Sequence, residues 1–226
     1  KADRDAFFEH AKKLNLRNSI FIDNTANEVI ANEYARYLNN SIGIVTCNKI
    51  AAADELSNYK NLKKISRKYG SPFLFETNVG AGLPIIDTLN NLIASGDQII
   101  KIQAVLSGSL NFVFNNFKKG SSFHDVVLEA QKEGYTEPDP KIDLSGIDVA
   151  RKILILARES GLSIELDEIQ NESFLPQECL DTKNNEEFFE SLKKHSGHFD
   201  KLVEDADKNN AKLKYVAQLE GGKAKV

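Results

Sequence analysis

An α/β chain is predicted, with a parallel sheet of strand–helix–strand units first and an α+β half behind it. Three observations carry this. Short apolar runs alternate with amphipathic helical stretches up to about residue 84, the rhythm of βαβ units. Beyond that point helices dominate, with isolated strand patterns at 98–106 and 212–219. Composition is ordinary for a globular protein: 41% hydrophobic and 27% charged residues in a chain of 226, enough for one large domain or two small ones.

Taken in order, residues 5–14 predict an amphipathic helix with Phe7, Phe8, Ala11 and Leu14 on one side. Ser19–Asp23 is an apolar run of strand length, followed by a helix from about Asn27 to Asn39. Ile42–Thr46 is a second buried strand, residues 54–68 another helix, and Pro72–Thr77 a third strand. Functional residues of such sheets lie just past the carboxyl ends of the strands. Three loops qualify: Asn24–Asn27, Cys47–Lys49 and Asn78–Pro84. For the first two, plain turn chemistry with Asn27 as a helix cap is an equal reading. In the third, Gly80 and Gly82 are expected to take unusual φ values and let carbonyls converge, and Pro84 suits the first turn of a helix to Ser95. Such a loop can hold a monovalent cation or let a cofactor approach the backbone, although most such turns are only turns. No G-x-G-x-x-G follows the first strand.

A strand is expected over Gln98–Leu106, with Ser107–Ser109 capping a helix over Leu110–Lys118 and a further helix over Phe123–Glu133. The densest stretch is Gly134–Lys152. Pro138 and Pro140 stiffen its first half, and the acids Glu137, Asp139, Asp143 and Asp148 precede Arg151 and Lys152. Asp143 or Ser145 can cap the helix that follows, whose apolar face is Val149, Ile153, Leu156 and Ala157, and Gly161 ends it. Asp148 and Lys152 stand at i and i+4. Such a pair is ordinarily a solvated salt bridge worth a few tenths of a kcal/mol. The crowd of acids in a proline-braced loop favours a pocket that grips a cationic group and moves a proton beside it. Residues 172–187 read as loop, 186–194 and 198–209 as helices, and 212–219 as a strand.

A net charge of −4 argues against nucleic acid or an anionic membrane as main partner, and no apolar run reaches bilayer length. Cys47 and Cys179 read as free thiols of a cytoplasmic protein, and the four histidines show no metal spacing. The opening on Lys1, the absence of Met and the stop at Val226 soon after Gly221–Gly222 read as a piece cut from something longer.

Four motifs together, Thr46–Lys49, Glu76–Pro84, Leu106–Leu110 and Gly134–Lys152, resemble homoserine dehydrogenase, most closely the form fused behind an aspartate kinase. The likeness extends over nearly the whole chain. It implies NAD- or NADP-dependent interconversion of L-homoserine and L-aspartate 4-semialdehyde on the route to threonine and methionine. It also implies a partial Rossmann-type sheet in a nucleotide-binding domain (residues 1–83), an α+β substrate and dimerisation domain (84–226), and a homodimer or higher oligomer. By position, Lys152 matches the acid/base lysine and Lys49 a second lysine facing the reacting carbonyl and the nicotinamide. Glu137 and Asp148 match the acids that hold homoserine, with Asp143 nearby. Thr25, Ala26, Lys49 and Gly134 match cofactor contacts, Ala26 standing where Ser is common. Glu76, Val79, Ala81 and Leu83 match a sodium site of main-chain oxygens. The departure is truncation: the opening glycine fingerprint lies before Lys1, so a second reading is a catalytically silent substrate-binding and dimerisation fragment without the pyrophosphate seat.

Overall fold

The computed structural model describes residues 3–226. Two compact units are present, one of Lys1–Gln98 with Leu154–Leu166, the other of Ile99–Ile153 with Asp167–Val226. The helix Ile147–Glu159 gives its first half to the second unit and its second half to the first.

In the first unit, strands β1 (Ile20–Asp23), β2 (Gly43–Thr46) and β3 (Phe73–Leu74) form a parallel sheet in that order. The register pairs Asp23 with Thr46 and Val45 with Leu74, so the chain leaves all three strands at one edge of the sheet. The parallel strands and crossover helices agree with the sequence reading; three details do not. The helix expected over 27–39 is two, Glu28–Ala31 and Tyr34–Leu38. The third strand stops at Leu74, because Phe75 (φ −144°, ψ 37°) turns the backbone into a 3-10 turn, Glu76–Asn78. Left-handed backbone in the next loop falls on Gly80 (φ 83°) and Ala81 (φ 53°), not on Gly82. A Cβ on Gly80 would lie 2.6 Å from Ile85 Cγ1, so that position requires glycine on two counts. Packed against this sheet is the helix Leu56–Tyr69, burying Tyr59, Leu62 and Ile65 and ending at left-handed Gly70.

The second unit carries an antiparallel sheet, β4 (Lys101–Ala104), β5 (Ala217–Glu220) and β6 (Lys223–Lys225). The last strand was not expected. It returns across the Gly221–Gly222 turn, and Val226 N–H donates to the Gln170 carbonyl at 2.9 Å. The core is aromatic: Phe123 stacks on Phe199 at 4.0 Å and meets Phe117 edge-on at 5.1 Å. Residues 172–187, read as loop, include the short helix Gln177–Leu180, which buries Cys179.

The acidic stretch also differs in detail. Asp139 caps a short helix, Pro140–Leu144, with Pro140 in its first turn, and a separate helix starts at Ile147. Gly146 (φ 76°) makes the joint. There, Asn171 Nδ2 donates to the Ser145 carbonyl at 3.0 Å, and the Tyr215 hydroxyl donates to Asn171 Oδ1 at 3.0 Å. A Cβ on Gly146 would sit 2.0 Å from that hydroxyl. This packed glycine sets the angle between the helix bearing Asp143 and the one bearing Asp148. Among the described residues no helix is long and apolar enough to cross a membrane.

Candidate active site

Within the second unit, one loop holds the acids and the lysine together. Strand β4 ends at Ala104, and Ser107 caps the helix Gly108–Asn116 through Leu110 N–H. In between, the Leu106 carbonyl accepts from Lys152 Nζ at 2.7 Å. Ser109 Oγ donates to Asp143 Oδ1 at 2.8 Å, and the other oxygen of Asp143 accepts the Glu137 N–H at 2.8 Å. Asp148 Oδ2 lies 2.7 Å from Lys152 Nζ.

The Lys152 side chain is only 17% exposed and held by a carbonyl as well as a carboxylate, unlike the solvated pair that helix spacing alone suggests. An ammonium has three donors, and two are committed here. The third can meet a substrate oxygen, with Asp148 beside it. Glu137 is exposed while its backbone is pinned by Asp143, so its carboxylate is presented on a fixed stem.

The first unit builds a polar cluster at the carboxyl edge of its sheet. Asp23, 2% exposed, accepts from Thr25 N–H at 2.8 Å, the Tyr34 hydroxyl at 2.6 Å and Asn48 Nδ2 at 3.1 Å. Thr46 Oγ1 lies 2.8 Å from the Tyr34 hydroxyl and accepts Asn48 N–H at 2.8 Å. Asn48 Nδ2 also donates to the Asn27 carbonyl. Burial works to raise the Asp23 carboxyl, but the hydrogen bonds from Tyr34, Thr25 and Asn48 outweigh it and hold the group below its ordinary value. Burial and the neighbouring Asp23 push the Tyr34 phenol well up. The network locks two turns: Thr25–Asn27, where Thr25 Oγ1 accepts Asn27 N–H at 3.1 Å, and Asn48–Lys49, where Lys49 stands at the head of the helix Ile50–Ala53. Beside them in the turn after β3, Asn78 is 1% exposed and neither side-chain polar atom has a partner among the described residues.

The sequence profile of the homoserine dehydrogenase family matches residues 84–226, and the profile of that family's NAD binding domain matches residues 1–76. The chain belongs to the homoserine dehydrogenase family. It is 41% identical over 225 residues to a bifunctional aspartokinase/homoserine dehydrogenase of Haemophilus influenzae, an alignment covering 100% of this chain and 28% of that one. With a homoserine dehydrogenase of Schizosaccharomyces pombe the identity is 42% over 208 residues, covering 89% and 55%. Among solved structures, a Candida auris protein of unknown function superposes with a TM-score of 0.93 at 35% identity, over 100% of this chain and 65% of that one. A hyperthermophilic archaeal homoserine dehydrogenase in complex with NADPH superposes with a TM-score of 0.67 at 26% identity, over 92% and 54%. The chain thus spans under two thirds of each of these proteins.

Against the homoserine dehydrogenase pattern, the second unit brings Glu137, Asp143, Asp148 and Lys152 onto one connected frame. Gly134 (φ 76°) closes the helix Phe123–Lys132, with Tyr135 N–H returning to the Ala130 carbonyl. In the first unit, Thr25 and Ala26 are exposed at the end of β1 and Lys49 is half-buried at the end of β2. Glu76 uses its carboxylate to cap the helix Ile85–Ala94, taking Ile86 and Asp87 N–H at 2.7 Å each. Val79 is buried, while Ala81 and Leu83 are exposed. Sequence reasoning missed Asp23, Tyr34, Asn48 and Ser109. Asn48 and Ser109 lay inside motifs already singled out, Thr46–Lys49 and Leu106–Leu110, without a role of their own, and Asp23 left a signal as a carboxylate closing an apolar strand.

Proposed function

We propose that this chain is the dehydrogenase part of an enzyme that interconverts L-homoserine and L-aspartate 4-semialdehyde with NAD or NADP. The observation that carries the reading is Lys152, held between Asp148 and the Leu106 carbonyl with one donor uncommitted among the described residues. When bound, the nicotinamide supplies or accepts the hydride. In reduction, the Lys152 ammonium gives its proton to the substrate carbonyl oxygen; in oxidation, the neutral amine takes the hydroxyl proton back. Glu137 and Asp148 hold the substrate ammonium, Asp143 fixes the Glu137 stem, and Lys49 contributes a second positive charge toward the reacting oxygen.

The carboxyl edge of the parallel sheet fits a nicotinamide cofactor. Ligands of open α/β sheets bind there, the Asp23 network fixes the turn carrying Thr25 and Ala26, and the buried amide of Asn78 has hydrogen-bonding capacity that no partner among the described residues takes up. Gly134 joins these as a cofactor contact. The main-chain oxygens of Glu76, Val79, Ala81 and Leu83 are proposed to hold a sodium ion, in a loop whose left-handed Gly80–Ala81 pair reorients successive carbonyls. Residues 1–83 are assigned to the nucleotide-binding domain and 84–226 to the substrate and dimerisation domain. The fused relatives support a preceding aspartate kinase in the whole protein, a place in threonine and methionine biosynthesis follows from the reaction, and a cytoplasmic homodimer or higher oligomer is the proposed form. Matches to both family profiles favour this reading over a silent fragment.

The test is Lys152→Ala in the full-length protein. Turnover is expected to fall by a factor on the order of 10² or more, as for a lost general acid/base, with an unchanged thermal melt. Undiminished turnover would remove Lys152 from the mechanism.

A further inference from the structure

The first unit contains a second built feature that the reaction above does not use. A cleft of about 330 Å³ opens between the helix Leu56–Tyr69 and the turn that closes the helix Ile147–Glu159. Five cations line it: Lys60, Lys63, Lys64, Arg67 and Arg158. The first four recur at i, i+3, i+4 and i+7 on one helix, a single stripe facing one way.

The acids nearby are already occupied. Glu159, its side chain 1% exposed, accepts from the Tyr59 hydroxyl and from Lys63 Nζ at 3.0 Å. Glu165 accepts Arg158 Nη2 at 2.9 Å and Leu56 N–H at 2.9 Å. Arg158 spends three further donors on the carbonyls of Ala52, Asp54 and Ile164. The floor of the cleft is therefore neutralised and rigid. Lys60, Lys64 and Arg67 remain, exposed, with no side-chain hydrogen bond or ion pair among the described residues. Like charges at i, i+3 and i, i+4 weaken a helix. The helix dipole favours cations only in the last turn, which accounts for Arg67 but not for Lys60 or Lys64.

We infer that this cleft binds a soluble phosphate-bearing small molecule through Lys60, Lys64 and Arg67. Three uncompensated positive charges call for an anion of two or more charges, and a guanidinium fork beside two ammonium groups suits phosphate oxygens. Leu56, Leu162 and Ser163, which also line the cleft, would take the uncharged body. The cleft volume falls within the range of small-ligand pockets. A polymeric polyanion fits poorly with a chain of net charge −4.

The experiment is calorimetric titration of inorganic pyrophosphate into the full-length protein at low salt. One equivalent of NADPH is kept present, enough to fill any pyrophosphate seat of the cofactor without free NADPH left to compete for the cleft. The wild type is compared with Lys60→Ala/Lys64→Ala/Arg67→Ala, none of which is placed in the dehydrogenase machinery. Pyrophosphate affinity is expected to fall at least about tenfold in the variant, and wild-type binding is expected to weaken with added salt. Homoserine kcat and KM are expected to be the same in both. Equal pyrophosphate binding by the two proteins overturns the inference. So does binding of the wild type to phosphatidic acid vesicles without binding to pyrophosphate. Because the readout is affinity, loss of the dehydrogenase reading itself would appear separately, as absent turnover in the wild type.

Discussion

Asp23 is a carboxylate removed from water whose charged form is nevertheless favoured, because each hydrogen bond it accepts is made to the anion. The stabilisation has a definite dependence on pH. A group whose folded value lies below the unfolded one contributes fully above the unfolded value, near 3.8 for Asp, and loses that contribution as pH falls through the folded value. Asp23→Asn is therefore expected to lower stability at neutral pH by roughly 1.5–3 kcal/mol. The gap to the wild type should narrow in urea melts run at progressively lower pH below the unfolded value. A gap that stays constant would mean that packing, not charge, is what Asp23 supplies. Gly146 is the other residue with no latitude. A methyl group there meets the Tyr215 hydroxyl at 2.0 Å in a backbone that disfavours side chains. Gly146→Ala is expected to destabilise by roughly 2–4 kcal/mol. Turnover of the surviving folded fraction should also fall, since the joint aims the Asp148 helix.

At the scale of elements, the helix Ile85–Ala94 shows how a loop and a helix are coupled. Pro84 precedes it without a side-chain cap, and the two amides that need an acceptor find one in Glu76, ten residues back. Glu76→Ala leaves both amides without a partner at the positive end of the helix. It is expected to cost about 1–2 kcal/mol, with Glu76→Gln retaining part of that, measured by thermal melts. The long-range nature of such contacts also explains what was legible beforehand. Helices announced themselves through apolar spacing and local caps, as at Asn27 and Ser107. The acids of 134–152 stood out because prolines and charges crowd there. Asp23, Tyr34 and Asn48 did not, because their partnership exists only once β1 and β2 are in register. The shortened third strand and the strand at 223–225 were missed for a related reason. Pairing across a sheet, not local propensity, decides where so short a strand begins and ends.

At the scale of the molecule, one stretch of helix differs in kind from the others. Most of the longer helices are amphipathic, burying one stripe. In the helix Ile147–Glu159, five consecutive residues, Ile153, Leu154, Ile155, Leu156 and Ala157, are each at most 1% exposed. Side chains on five successive positions cover every direction around the axis, so this segment is enclosed on all sides, and it falls where the chain passes from one compact unit to the other. Its amides cannot reach water by fraying or by the lifting of a single neighbour. Amide hydrogen exchange is therefore expected to be slowest across 153–157, with an opening free energy equal to that of global unfolding measured by denaturant. The strand Ile20–Asp23 makes the contrast. Ile20 and Ile22 are 52% and 62% exposed, and its exchange should run through smaller, local openings. Exchange at 153–157 faster than at 20–23 would show that the enclosed helix opens on its own. Lys152, immediately before this segment, would then lack the rigid support that its proposed role as an acid and base demands.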